Sequence, residues 1–499
     1  MGIPGISKSR FTTYLKCPRL GYFACHPDRF AHLKDPDDWA TQQRIETGLR
    51  AGQLAREAFP DGTLVGHDQD MGSALAETAV AMGDGRFPYV FEATFADDGL
   101  LARADVLRKV SDRVVDLVEV KATTSVKTEH IPDVAFQLHV LETVGLEVRS
   151  CALMHFDGEY LYGGGAHDPN EIFAVEDVTT AARKWQRNKL ETALYTMRED
   201  LAASEPPRVR IKNGCKECPY YRQVCALGAP LLPICELGGN HRKLFAALEE
   251  AEIESLTEVP CDFPGLPPEH LLVLEAVGAD GLALDRQMIH DLLREAHFPL
   301  WFVDFETYST GFPIFQGTRP WQQIPFQWSL HALSEPQGEP QHLEFLVADA
   351  GDPRRRFAES LLAAVGKKGS LVVYNKAMEA TRLRELAEDL PDLAPGLLDL
   401  ESRVFDLLPV VRQGSYHPSM AGSHSLKKVT PVLAPHLDYA ALDVHAGMEA
   451  MEAYHKLIDP GADEGEKERL REGLRQYCGV DTLAMVEIYK RLRAETLKA

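Results

Sequence analysis

The sequence has no apolar stretch near the ~20 residues that span a bilayer, and Met1 to Arg10 carries charges with no apolar core behind them. A membrane span and a standard export signal are therefore not expected, and the chain is expected in the cytoplasm. Positive charge is also scarce: 53 Lys and Arg stand against 75 Asp and Glu, a formal charge of −22. A protein that coats polyanions needs a field of Lys and Arg, so that class is excluded. Any nucleic acid would have to be held locally or through metal ions. Nine cysteines, an odd number, are mostly far apart, which argues against a disulfide framework and for metal or cluster ligation. Neither internal repeats nor low-complexity segments occur.

What is present reads as an α/β chain of several parts. At roughly 100–200 residues per domain, 499 residues imply two to four domains. Residues 7–60 have helical spacing; FPYVFEATFAD, LLARADVLRKV and RVVDLVEVKATT read as strands between turn signals. VAFQLHVLETV returns to helix, SCALMHFD to strand, and VTTAARKWQRNKLETALYTMREDL to a long helix. Residues 231–297 are acidic and mostly helical, and are expected to be a connector or spacer between units 1–230 and 298–499. A second α/β unit starts at Pro299, with LWFVDFETYS, IPFQWSLHAL and SLVVYN as strands and RLREGLRQYCGVDTLAMVEIYKRLRAE as a closing helix.

Strand side chains alternate faces, so Glu119 and Lys121 in VEVKA point the same way. With Asp105 from the preceding strand they make the parts of a metal-dependent phosphodiester hydrolase. Carboxylates hold Mg2+ or Mn2+, a bound water becomes more acidic, and a lysine stabilises the crowded transition state. Cys215, Cys218 and Cys225 fall as C-x2-C-x6-C, with Cys17 far upstream in YLKCPRLGYF. Four thiolates suit zinc as well as iron. Cys25, Cys151, Cys235, Cys261 and Cys478 show no clustering and read as small apolar residues.

The order Asp105, then Glu119-x-Lys121, then Gln137 on the following helix resembles the PD-(D/E)XK nucleases, particularly their RecB-like branch. With the four cysteines, residues 5–230 resemble CRISPR-associated RecB-like exonucleases that clamp a [4Fe-4S] cluster between the two ends of the domain. The resemblance implies a restriction-endonuclease-like fold, Asp105 and Glu119 as metal ligands, Lys121 as catalytic lysine and Gln137 as a helper. It makes Cys17, Cys215, Cys218 and Cys225 cluster ligands, with zinc as the alternative, and Glu92 a further acid. Two positions depart from it: Arg56 stands where a histidine ligand is expected, and Leu141 replaces the aromatic of Q-x3-Y.

In LWFVDFETYS, Asp304 and Glu306 share one face of an otherwise apolar strand. Paired carboxylates there repel each other unless a divalent cation joins them. VVYNKAMEATRL ends a strand at Asn375 and starts a helix with Glu379, while YCGVDTLAM sets Tyr477 and Asp481 on one helical face. This order resembles the DnaQ-like 3'-5' exonucleases of the RNase H-like superfamily, in their tyrosine subclass. The resemblance implies Asp304, Glu306, Glu379 and Asp481 as ligands of two metals and Tyr477 as the residue orienting the attacking water. The second-motif acid is normally Asp; Asp406 is a possible substitute for Glu379, or a capping acid. Trp321, Phe326 and Trp328 could stack on bases or belong to the core, and Lys427 and Lys428 could contact phosphate or face solvent. The pairing of both halves resembles a bacterial family of two-nuclease proteins. It implies a DNA exonuclease acting on single-stranded or open-ended substrate. RNA is the alternative substrate, and a non-catalytic iron-sulfur platform feeding one active domain is the other reading.

Overall fold

Two mixed sheets, each covered by helices, make this an α/β protein of two units. The computed structural model describes residues 5–66, 70–239, 241–439, 442, 444 and 446–498; Met1 to Pro4, part of the leader reading, lie outside them. One unit comprises 1–210, 217–227 and 310–322, the other 211–216, 228–309 and 323–499. No helix among the described residues is long and apolar enough to cross a membrane.

Among the described residues the N-terminal unit has seven strands, β1 (Ile6–Ser7), β2 (Gly62–Leu64), β3 (Tyr89–Asp97), β4 (Leu100–Lys109), β5 (Val114–Lys121), β6 (Glu147–Phe156) and β7 (Phe173–Asp177). Their order is β2-β3-β4-β5-β6-β7. β3, β4 and β5 form an antiparallel meander. β5 and β6 are parallel, which requires a crossover, and the helix Ile131–Thr143 supplies it. On one sheet face Val90, Leu107, Leu117 and Leu153 pack with Val134, Leu138 and Leu141 of that helix. Elsewhere in the unit Met154 and Phe156 meet Ala51 and Ala55 of the helix Trp39–Glu57.

Residues 7–60 do not start as helix throughout: β1 precedes the first helix, Lys8–Lys16, and pairs with β4 at Ile6–Leu100 and Ser7–Leu101. β5 takes the other part of that β4 flank, from Val106 to Lys109. Asp105 therefore falls between the two pairings, in a slot open to side chains from both.

The second unit contains β8 (Ala283–Leu284), β9 (Leu300–Tyr308), β10 (Ile324–Leu333), β11 (Gln341–Leu346), β12 (Ser370–Val373), β13 (Val404–Asp406) and β14 (Ser415–Tyr416). β8 and β14 pair separately; the main sheet runs β11-β10-β9-β12-β13. β9, β10 and β11 are antiparallel, whereas β12 lies parallel to β9 and β13 parallel to β12. Alternation along β9 sends Val303 and Phe305 into a core with Phe357, Leu371 and Leu383. Leu300 and Phe302 face the opposite way, toward Met485, Tyr489 and Leu492 of the helix Glu464–Thr496.

Residues 231–297 group with this unit and are not a free-standing connector. Leu244, Leu248, Val273, Ile289 and Leu293 from their helices enter the same core as Leu300 and Phe302. The segment Thr310–Gln322, between β9 and β10, groups with the N-terminal unit. There Phe312 packs edge-on against Phe156 with Arg50 over its ring at 4.0 Å, and Trp321 Nε1 donates to the Ala122 carbonyl at 2.9 Å.

Candidate metal centres

In the N-terminal unit the sheet register sets three acids side by side. Val106 pairs with Val118, so Asp105 follows opposite Glu119, and Phe91–Val106 and Ala93–Ala104 bracket Glu92 across from Asp105. The Val120 N–H donates to Asp105 at 2.8 Å. Glu119 is buried, and its carboxylate accepts from Lys121 Nζ at 2.7 Å and from Gln137 Nε2 at 2.8 Å. Asp105, Glu119, Lys121 and Gln137 thus come together as the sequence led us to expect.

Two further residues join them that the sequence reading missed. Lys8 Nζ reaches both Glu119 oxygens, at 2.7 and 2.9 Å, and lies 3.8 Å from Asp133 and 4.0 Å from Asp105. Asp133 accepts from Lys121 and from Gln137 Nε2, the latter at 3.2 Å. Asp133 had a signal, since it stands four residues before Gln137 on the same helix face. Lys8 had none, because its place depends on β1 docking beside β4. Arg56, in the expected histidine position, pairs with Glu92 at 3.8 Å, and Glu92 has a left-handed φ of 57°.

Charge at this centre is largely compensated from within. Burial alone would raise the Glu119 pKa, but Lys121 and Lys8 outweigh it and hold the carboxyl well below its usual range. Burial, followed by the Glu119 charge, pushes both Asp105 and Asp133 up. Both lysines stay protonated: burial opposes their charge, and the carboxylates, Glu119 foremost, overcome it.

The C-terminal unit gathers its acids differently. Asp304 and Glu306 project from β9, Glu379 from the first turn of the helix Lys376–Asp389, and Asp481 from the helix Glu464–Thr496. Glu306, Glu379 and Asp481 are all buried. Asn375, at φ 81°, turns the chain from β12 into the Glu379 helix. Thr482, beside Asp481, ties its helix to β10 through Ser329 Oγ and His331 Nδ1, both at 2.8 Å.

Here burial is not offset by basic partners to the same degree. Burial, then the Asp481 charge, pushes Asp304 up to about 8, and burial raises Asp481 to about 6. Glu306 and Glu379 are both pushed well above their usual value, by burial first and then by Asp304. Glu379 Oε2 is buried with no hydrogen-bond partner among the described residues. Acids so arranged fit divalent cations, which would join the carboxylates and occupy the orphaned oxygen's direction.

Tyr477 lies at the same centre, its hydroxyl accepting from Lys427 Nζ at 2.7 Å. Lys427 is therefore turned to the tyrosine and away from the plain solvated face that was one expectation for it. Two more neighbours were not foreseen. The Tyr439 hydroxyl donates to Asp481 at 2.6 Å. Cys478, expected only as a buried apolar residue, lies with its sulfur 3.7 Å from the Asp304 carbonyl. Asp304, Glu306 and Cys478 bring ligand atoms within 4.8 Å of one another, the one such trio among the described residues. Asp406 does not join the acids: it caps the helix Leu407–Gly414 and accepts from the N–H groups of Asn375 and Lys376, each at 3.0 Å. Phe326 and Trp328 are core residues.

None of the nine cysteines is in a disulfide. Cys17, Cys215, Cys218 and Cys225 are each half-buried, and none belongs to a close ligand trio among the described residues. Cys225 Sγ accepts from Arg19 at 3.7 Å, and Cys215 Sγ accepts the Lys212 N–H at 3.2 Å.

A domain of unknown function (DUF2779) matches residues 301–425, a stretch that holds Asp304, Glu306 and Glu379 and ends before Lys427, Tyr477 and Asp481. An uncharacterized protein of Ureaplasma parvum serovar 3 is 22% identical over 210 residues. The match covers 38% of this chain and 30% of that relative, so the chain spans less than a third of its length.

Proposed function

We propose that the chain is a metal-dependent nuclease acting on DNA, with a RecB-like PD-(D/E)XK centre in the N-terminal unit and a DnaQ-like, RNase H-like exonuclease centre in the C-terminal one. The observation that carries this reading is the convergence of Asp304, Glu306, Glu379 and Asp481, from three separate elements, into one buried group beside Tyr477. The β11-β10-β9-β12-β13 order supports the RNase H-like assignment, with three antiparallel strands followed by two parallel ones. The antiparallel β3-β4-β5 followed by a helical crossover to β6 supports the PD-(D/E)XK assignment.

At the C-terminal centre the four carboxylates would hold Mg2+ or Mn2+, which supplies an acidified water and neutralises phosphate charge. The Tyr477 hydroxyl, whose oxygen accepts from Lys427, would orient the attacking water. Hydrolysis would form a bond from the water oxygen to phosphorus as the bond to the 3' or 5' oxygen breaks, the water's proton passing to solvent and the departing oxygen taking one from it. At the N-terminal centre Asp105 and Glu119 would be the ligands, and Lys121, steadied by Asp133, would face the attacked phosphate. Cys17, Cys215, Cys218 and Cys225 would hold the [4Fe-4S] cluster, or zinc.

One observation favours a second reading for the N-terminal half. Lys8 and Lys121 already saturate Glu119, which suits a unit that binds DNA without cutting it. Cleavage of end-labelled single- and double-stranded DNA and of RNA, with Mg2+ or Mn2+, tests all of this. DNA degradation abolished by Asp481→Ala supports the C-terminal centre, and its survival overturns it. Activity wholly indifferent to Lys121→Ala leaves the N-terminal half a binding platform, and a preference for RNA replaces the DNA assignment.

A further inference from the structure

We infer that Lys8 is a resident cation of the N-terminal centre, holding the position that a divalent metal ion must take, so that metal binding there proceeds by displacement of its ammonium group. The inference rests on the reading of Asp105 and Glu119 as metal ligands. Its basis is geometric. Lys8 Nζ bridges both oxygens of Glu119, at 2.7 and 2.9 Å, and faces Asp133 at 3.8 Å and Asp105 at 4.0 Å. A cation held between carboxylates from three elements, one in direct contact and two at 3.8 and 4.0 Å, stands where a metal ion would draw the same acids together. Glu119 has no oxygen left over, since Lys121 takes Oε1 and Gln137 takes Oε2.

The placement of Lys8 follows from the fold. β1 docks in register on β4 and the helix begins at once, with Ser7 accepting the Arg10 N–H as its cap. Lys8, the first residue of that helix, is thereby aimed into the slot between the β1 and β5 pairings. Charge then limits what else can enter. Asp105, Glu119 and Asp133 against Lys8 and Lys121 leave at most one net negative charge, too little to draw in a divalent ion strongly. With Lys8 withdrawn the same carboxylates exceed Lys121 by two.

The test uses the full chain carrying Asp304→Asn and Asp481→Asn, which silences the C-terminal centre, with and without Lys8→Met. Mn2+ binding is followed by the loss of the free-ion electron paramagnetic resonance signal. Lys8→Met is expected to tighten Mn2+ binding at least tenfold. Equal or weaker binding in Lys8→Met overturns the inference while leaving the centre a metal site. No Mn2+ bound by either protein removes the metal-site reading and the inference together. A second measurement needs no variant at Lys8: acylation of Lys8 by an amine reagent, read by mass spectrometry with and without Mn2+. The half-buried, ion-paired amine is expected to be protected without Mn2+ and to become reactive as Mn2+ saturates. Unchanged protection at saturation overturns displacement even where Lys8→Met does not fold.

Discussion

The two centres solve one electrostatic problem in opposite ways. Each collects buried carboxylates at the meeting of strands and a helix, yet the N-terminal one interleaves them with Lys8 and Lys121 while the C-terminal one leaves them facing each other. Buried like charges are costly, so they must be neutralised by protons, by ammonium groups or by metal ions. The N-terminal centre carries its own cations and holds together without metal. The C-terminal centre has Lys427 on Tyr477, and burial and mutual repulsion push its carboxylates toward their protonated forms; on the proposed reading a divalent ion would invert the local field.

The sharpest break of this comparison is catalytic. On the proposed reading, Asp481→Ala is expected to reduce turnover of end-labelled single-stranded DNA by on the order of 10³-fold, whereas Lys8→Met is expected to leave that turnover unchanged. Next comes a pair of chemically identical changes with opposite signs. In metal-free buffer Glu119→Gln takes from Lys8 and Lys121 the carboxylate they share and is expected to cost about 3 kcal/mol. Glu306→Gln replaces a carboxyl whose ionised form burial and Asp304 disfavour with a group that cannot ionise, and is expected to raise the unfolding midpoint. Urea unfolding of both variants in EDTA decides it, and destabilisation by Glu306→Gln would erase the contrast.

Metal addition should separate the units further. Mn2+ at 100 times its dissociation constant stabilises by about 2.7 kcal/mol, and that gain should appear in the C-terminal unit and vanish in Asp304→Asn. The pH dependence has a definite sign. Asp304 binds its proton more tightly folded, at about 8, than unfolded, at 3.8. The stability this confers is full below about pH 4 and is lost as pH rises through 8. Metal-free thermal midpoints should therefore fall across that window, and Asp304→Asn should flatten the fall. The smallest effect concerns Asp406, read as a cap. Asp406→Ala should cost about 1 kcal/mol and leave the metal dependence of cleavage unchanged.

Much of both centres was legible because period-2 strands and period-3.6 helices translate directly into shared faces. Asp304 with Glu306, Glu119 with Lys121, and Tyr477 with Asp481 are pairs of that kind. Lys8 was hidden because its position depends on parallel pairing with a strand almost a hundred residues later, which no local pattern records. Tyr439 and Cys478 lay in stretches whose roles only packing reveals. The helices of 231–297 looked like a connector because their acidic faces dominate the composition, whereas their apolar faces fill the core beneath β9.

The strap Thr310–Gln322 has a consequence for heredity. It leaves β9 two residues past Tyr308, supplies Phe312 and Trp321 to the N-terminal unit, and returns to open β10. Trp321 fastens the carbonyl of Ala122, the residue after Lys121. A gene cut between the halves would thus give a front piece missing part of its own core and a back piece with an aromatic loop left uncovered. The two units are interleaved along the chain, each containing a stretch that lies between stretches of the other.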